Sequence, residues 1–169
     1  MDKTIVTKDL DNKTLRIERL FDAPKETVWK FYAEKEWFEK WWGPEGWETT
    51  AKVFNFTPGG HVHYEMKCVD ELQTEWFGQS SWGAMVIESI DAPNNFVYKD
   101  YFSDETGVLN SEMPSLKVEN SFIEEGSQTR LVIVSHADSV EQIEQLLDMG
   151  MVEGFSSQMN KLDALIETT

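Results

Sequence analysis

Residues 29–47 read Trp-Lys-Phe-Tyr-Ala-Glu-Lys-Glu-Trp-Phe-Glu-Lys-Trp-Trp-Gly-Pro-Glu-Gly-Trp and hold five of the chain's seven tryptophans. That much ring area in so short a stretch must be buried against a surface the stretch cannot supply by itself. Trp37, Phe38, Trp41 and Trp42 recur at helical spacing, and Gly43-Pro44 stops the helix they predict. Upstream, Asp22-Ala23-Pro24 places proline where a helix starts without losing a hydrogen bond. Val28, Trp29, Phe31 and Tyr32 follow on one face. Two short helices therefore cover something: either a core that later strands build, or a cavity that accepts a small apolar molecule.

Outside this stretch the periodicity is mostly that of strands. Residues 13–21 put Leu15, Ile17 and Phe21 on one face and Arg16 and Glu18 on the other, which predicts a strand with one wet face. From Trp47 to Ser135 the strand-like runs are 48–56, 61–68, 74–90, 96–102, 116–123 and 130–135. Turn residues such as Pro58-Gly59-Gly60 and Glu124-Glu125-Gly126-Ser127 separate them. Consecutive strands with short turns predict an antiparallel meander. The polar segment Ser103–Ser115 is long enough to be mobile over an opening. Asp138-Ser139, with Glu141 and Gln142 each three residues on, has capping-box spacing and opens a long helix. Ile143, Leu146, Leu147, Met151, Phe155, Met159, Leu162 and Ile166 form its apolar stripe, and Gly150 bends or breaks it near the middle. The expected order is strand, two short helices, six strands and a long C-terminal helix, an α+β arrangement.

Composition narrows the class. A chain of 169 residues is read as a single domain spanning 1–169, and at that size it buries roughly 70% of its unfolded surface without a disulfide. The lone Cys68 and an N-terminus without a basic start and apolar run place the protein in the reducing cytoplasm. No apolar stretch approaches the roughly 20 residues that span a bilayer. The net charge is -16 and uneven: residues 1–67 carry 11 basic and 12 acidic side chains, and residues 68–169 carry 4 and 19. Such a surface repels phosphate backbones and anionic headgroups, so nucleic acid is not an expected partner. It also opposes two acidic halves meeting, which makes a monomer the default.

Candidate chemistry is sparse. Alternation turns Val62, Tyr64, Met66 and Cys68 inward and His61, His63, Glu65 and Lys67 outward. His61-x-His63-x-Glu65 has metal-like spacing. It lies on the polar face without a visible fourth ligand, so it is read as solvent-facing and no metal is expected. An inward Cys68 reads as an inert small hydrophobe. His136, Asp138 and Ser139 lie where a helix begins and read as capping chemistry. No phosphate loop or dinucleotide fingerprint is present, and no cofactor is expected. The strongest binding candidates are aromatic and thioether side chains: Tyr64, Met66, Trp82, Tyr98, Phe122, Phe155 and Met159 as a cavity wall, with Trp41 or Trp42 at its lid. Each could instead simply fill the core.

Ala23-Pro24, the run Trp41 to Trp47, Pro58-Gly59-Gly60, Gly83 ahead of Val86-Ile87-Glu88, and Glu153-Gly154-Phe155 together carry a resemblance. Over roughly residues 5–166 the chain resembles the START-like (SRPBCC) superfamily. More narrowly, it is similar to bacterial AHSA-type proteins related to the C-terminal domain of the heat-shock chaperone ATPase activator. The resemblance implies a helix-grip fold, a curved antiparallel sheet wrapped around the C-terminal helix with two short helices closing one end. It also implies a cavity for a hydrophobic or amphipathic small molecule such as a lipid, sterol or polyketide. A chaperone partner or cyclase- or hydrolase-type chemistry are the alternatives that relatives suggest. Phe155 departs from the tryptophan that members often carry there.

Overall fold

The computed structural model describes residues 4–110, 112 and 115–168. In chain order the elements are β1 (Ile5–Asp9), β2 (Thr14–Phe21), α1 (Lys25–Ala33), α2 (Lys35–Trp41), β3 (Trp47–Phe54), β4 (His61–Cys68), β5 (Ser80–Asp91), β6 (Asn95–Phe102), β7 (Leu116–Glu125), β8 (Gln128–His136), α3 (Val140–Asp148) and α4 (Met151–Glu167). The strands form one curved antiparallel sheet in the order β1-β2-β8-β7-β6-β5-β4-β3. Its concave face receives the helices, which is the helix-grip arrangement. Two register shifts, between Ala51 and Val53 and between Ile87 and Ser89, insert one extra residue each near the β3 edge. Bulges of this kind bend a strand and raise its twist, which helps the sheet curl.

Two differences from the sequence expectation, in β1 and β5, have local causes, and the break expected at Gly150 is present. Strand β1 pairs with β2 from Ile5↔Glu18 to Asp9↔Thr14 although nearly all of its side chains are exposed. Its backbone ladder, rather than an inward apolar face, makes it a strand. Strand β5 begins at Ser80 rather than Thr74, because residues 73–79 close a turn through Phe77 N–H to Gln73 C=O and Gly78 N–H to Cys68 C=O. The long C-terminal helix is two helices, broken where Gly150 takes φ +83°. A left-handed residue cannot continue an α-helix, and glycine adopts it without a Cβ penalty. Ser139 caps α3 by accepting from Gln142 N–H, and the Gln142 side chain accepts from Asp138 N–H.

The tryptophan-rich stretch is packing material. Trp41 has no exposed surface and its indole donates to Phe31 C=O at 2.8 Å. Tyr32 meets Trp41, Phe96 and Phe122 edge-on, and Phe38 stacks on Trp42. Helix α4 lies over the concave face, with Met159, Leu162 and Ile166 in the same core as Ile17, Phe21 and Leu131.

Polar contacts fix the position of α4. Arg19 points inward from β2, almost wholly buried, and donates to Asn160 Oδ1 at 2.6 Å and Asp163 Oδ2 at 2.9 Å. Further towards the N-terminus of α4, Gln158 Oε1 accepts from Gly43 N–H, Ser157 Oγ accepts from Glu45 N–H, and Lys161 donates to Gly43 C=O and Trp47 C=O. The chain after α2 is thus bolted to the helix through its own backbone. Arg19→Met leaves Asp163 and Asn160 without their cation and is expected to cost about 3 kcal/mol of stability, measured as a lower urea midpoint at unchanged slope.

Candidate functional site

A cavity of about 250 Å³ lies between the sheet and the break in the C-terminal helices. Tyr64 and Met66 of β4, Ser81 and Gly83 of β5, Asp100 and Phe102 of β6 and Leu116 of β7 border it from the sheet. Trp42 borders it after α2, Leu146 from α3, and Met151, Gly154, Phe155 and Gln158 from α4. Met149 is also on the wall and is exposed, so the cavity reaches solvent beside the Gly150 break. The helix break, and not the tryptophan stretch, makes the mouth.

Of the residues singled out from sequence, Tyr64, Met66 and Phe155 border this space, as does Trp42, the alternative lid residue. Trp82 also touches it, but its ring stacks on His63 with centroids 5.3 Å apart. Trp82 pairs with Glu65, so alternation puts its side chain on the convex face. Trp41, Tyr98, Phe122 and Met159 are behind the wall in the close-packed core. His63 is not solvent-facing: only 4% exposed, it lies under the 103–110 segment, its Nε2 is 3.1 Å from Asp104 C=O, and Gly107 approaches its ring. That segment therefore covers the convex side of β4, where Asp104 holds its own turn by accepting from Thr106 and Val108 N–H. Ser111, Met113 and Pro114 of the loop lie outside the described residues. Among the described residues no three His, Cys, Asp or Glu side chains converge to hold a metal.

Asp100 is the residue that sequence inspection passed over. Phe96, Tyr98, Asp100 and Phe102 alternate onto one face, and a carboxylate in that series has to point at the interior. Tyr64 donates to Asp100 Oδ1 at 3.1 Å, reaching from β4 across β5 to β6. Gly83 makes the reach feasible: a Cβ there would sit 2.5 Å from the Tyr64 hydroxyl. The Trp42 ring packs edge-on against Tyr64 with centroids 5.8 Å apart, which backs the Tyr64–Asp100 pair along the wall. Burial pushes the Asp100 carboxyl up to about 7, with the Tyr64 hydrogen bond acting in the opposite direction. Burial, and then the charge of Asp100, push the Tyr64 phenol well above its usual range, so it stays a donor.

Two expectations follow from this wall. Because the folded state holds the Asp100 proton more tightly than the unfolded chain, its contribution to stability is fully present below about pH 4. That contribution is lost as pH rises towards about 7. Asp100→Asn keeps an acceptor for Tyr64 and removes the charge. It is expected to raise stability at pH 8 by about 2 kcal/mol and to flatten the pH 5–8 stability profile relative to the parent chain. Gly83→Ala is expected to displace Tyr64 and cost about 2 kcal/mol, seen by urea unfolding and by loss of the near-ultraviolet tyrosine signal of the ordered ring.

Comparison with known proteins places this architecture. The family described as "Activator of Hsp90 ATPase homolog 1-like protein" matches residues 22–167. No curated protein matches the chain. Among solved structures, protein Ms6760 from Mycobacterium smegmatis is 36% identical with a TM-score of 0.86, and 98% of each chain is covered. A protein from Arthrobacter aurescens is 29% identical with a TM-score of 0.87, over 98% of this chain and 92% of that one. One from Staphylococcus epidermidis is 26% identical with a TM-score of 0.81, over 96% and 93%. The matched span covers both short helices, six of the eight strands and the cavity wall, and the chain belongs to the AHSA1 family of START-like proteins.

Proposed function

We propose that this chain is a binding protein for a compact hydrophobic or amphipathic molecule, held in the cavity between the sheet and the C-terminal helices, with no chemistry of its own. The observation that carries this reading is unfilled space in a close-packed interior. Protein cores leave few voids larger than a water molecule, whereas the cavity here, at about 250 Å³ and opening to solvent, is many times larger. The wall is largely aromatic and aliphatic with a few polar groups, the composition of a small-molecule site. The volume is at the small end for such sites, which favours a one- or two-ring or short-chain guest over a diacyl lipid. The buried, unpaired Cys68 supports a reducing, cytoplasmic setting. No helix among the described residues is long and apolar enough to cross a membrane.

A second reading, a protein-interaction module resembling a chaperone cofactor, is favoured by one observation. Leu72 is 90% exposed, and Val69, Trp76 and Phe77 beside it are also exposed, with the Trp47 ring 6.4 Å from that of Trp76. An interaction surface around Trp37, Trp41 and Trp47 is the sequence-based expectation for such a module, and the β4–β5 connection beside Trp47 carries the exposed part of it. Trp41 is buried, and Trp37 is covered by the ammonium groups of Lys30 and Lys40 at 4.7 and 4.3 Å.

Gly154 offers a direct test of the first reading, since it borders the cavity and a Cβ there meets nothing within 4 Å. Gly154→Leu is expected to fill the space, raise stability by about 1 kcal/mol through helix propensity, and abolish binding of compact aromatic probes in ligand-observed NMR. Native mass spectrometry of the parent protein from cell extract should show a bound small molecule that the variant lacks. Equal probe binding by both proteins, or none by either, would remove the cavity from the function. Retained chaperone binding after Trp76→Ser and Leu72→Ser would likewise remove the exposed patch.

A further inference from the structure

Among the described residues the cavity wall carries one charged side chain, Asp100, and no lysine, arginine or histidine on the wall neutralises it. Its Oδ1 accepts from Tyr64, while its Oδ2 has no side-chain donor and the group forms no ion pair among the described residues. Asp100 is only part-exposed, at a largely apolar wall, and a carboxylate in such a place is stabilised by a cationic partner. Trp42, Tyr64, Phe102 and Phe155 border the same cavity, and aromatic ring faces attract positive charge. A surface of net charge -16 also enriches cations near the mouth.

We propose that the cavity selects a compact organic cation, a protonated amine on a one-ring or short-chain apolar body, whose ammonium group pairs with Asp100 among these aromatic rings. This deepens the binding reading above and rests on it. An alcohol of the same shape satisfies a hydrogen bond but leaves the carboxylate charge uncompensated, and a carboxylate guest adds a second negative charge beside the first.

The same geometry links binding to protons. Tyr64 from β4 and Tyr98 from its own strand interact with Asp100 directly, and Trp42 after α2, Leu146 and Met149 from α3 and its end, and Phe155 and Gln158 from α4 share the cavity wall with it. Tyr64 and Tyr98 are both pushed upward, chiefly by burial, and stay protonated, so of these three groups Asp100 is the one that titrates near neutrality. An arriving ammonium group displaces the Asp100 proton, and affinity rises with pH from 5.5 to 8.

The test is isothermal titration of the intact chain with 2-phenylethylamine, 2-phenylethanol and 3-phenylpropanoate, three probes that share one apolar body. The amine is expected to bind about tenfold tighter than the alcohol at pH 8, the propanoate weakest, with proton release at pH 7 read from buffers of different ionisation enthalpy. In Asp100→Asn, whose folding is checked by circular dichroism, the amine preference is expected to vanish while the alcohol still binds. If the alcohol binds the parent as tightly as the amine, or if Asp100→Asn keeps the preference, cation selection is overturned and the cavity reading stands. If all three probes fail while other compact aromatics bind and Gly154→Leu blocks them, cation selection alone is again overturned. If nothing binds, both readings fall.

Discussion

The position of helix α4 is set by directional polar contacts at two places, and the rest of the molecule accommodates it. Arg19 holds Asn160 and Asp163 from the sheet side. Gln158, Ser157 and Lys161 hold the backbone of the segment after α2. Apolar contacts alone would let a helix slide or tilt to fill space, because dispersion is nearly indifferent to small shifts along a ridge. Hydrogen bonds to a buried guanidinium and to backbone amides are not indifferent, since losing one strands a desolvated partner. The helix is therefore kept where it leaves room near its N-terminal end, and the Gly150 break turns α3 aside so that this room opens to solvent.

Space held open in this way changes what a carboxylate can do. Asp100 would be excluded from an ordinary sheet interior, yet here its cost is partly met by the Tyr64→Asp100 hydrogen bond, which depends on the bare backbone of Gly83. The remaining cost appears as an acid held protonated up to about neutrality. A group that reduces stability above that pH, placed at a cavity and left without a counter-charge, is the kind of compromise functional sites make at the expense of the fold.

The aromatic stretch serves this arrangement from behind. Trp41, Tyr32, Phe38 and Phe96 close-pack edge to face, which makes a rigid backing, and Trp42 alone of the tryptophans in that stretch reaches the cavity. The acidic surface and the exposed Leu72, Trp76 and Phe77 lie outside this machinery and bear on partners rather than on the interior.

Most strands, both short helices, the capped start of α3 and the break at Gly150 were legible in the sequence, because alternation, helical spacing, proline and glycine act through the nearest neighbours in the chain. So were the inward placements of Tyr64 and Met66. Strand β1 was not legible, since its side chains are exposed and only the ladder with β2 defines it. His63 was expected in solvent and is buried, because a segment forty residues later folds over it. Asp100 was passed over, although alternation with Phe96 and Tyr98 points it inward, because a carboxylate so placed has meaning only once Tyr64 reaches it from two strands away. Local periodicity therefore determined which residues form which elements and which way most of them face. Only the tertiary structure decided where the interior is left unfilled and which charge borders it, because both depend on contacts between residues far apart in the chain.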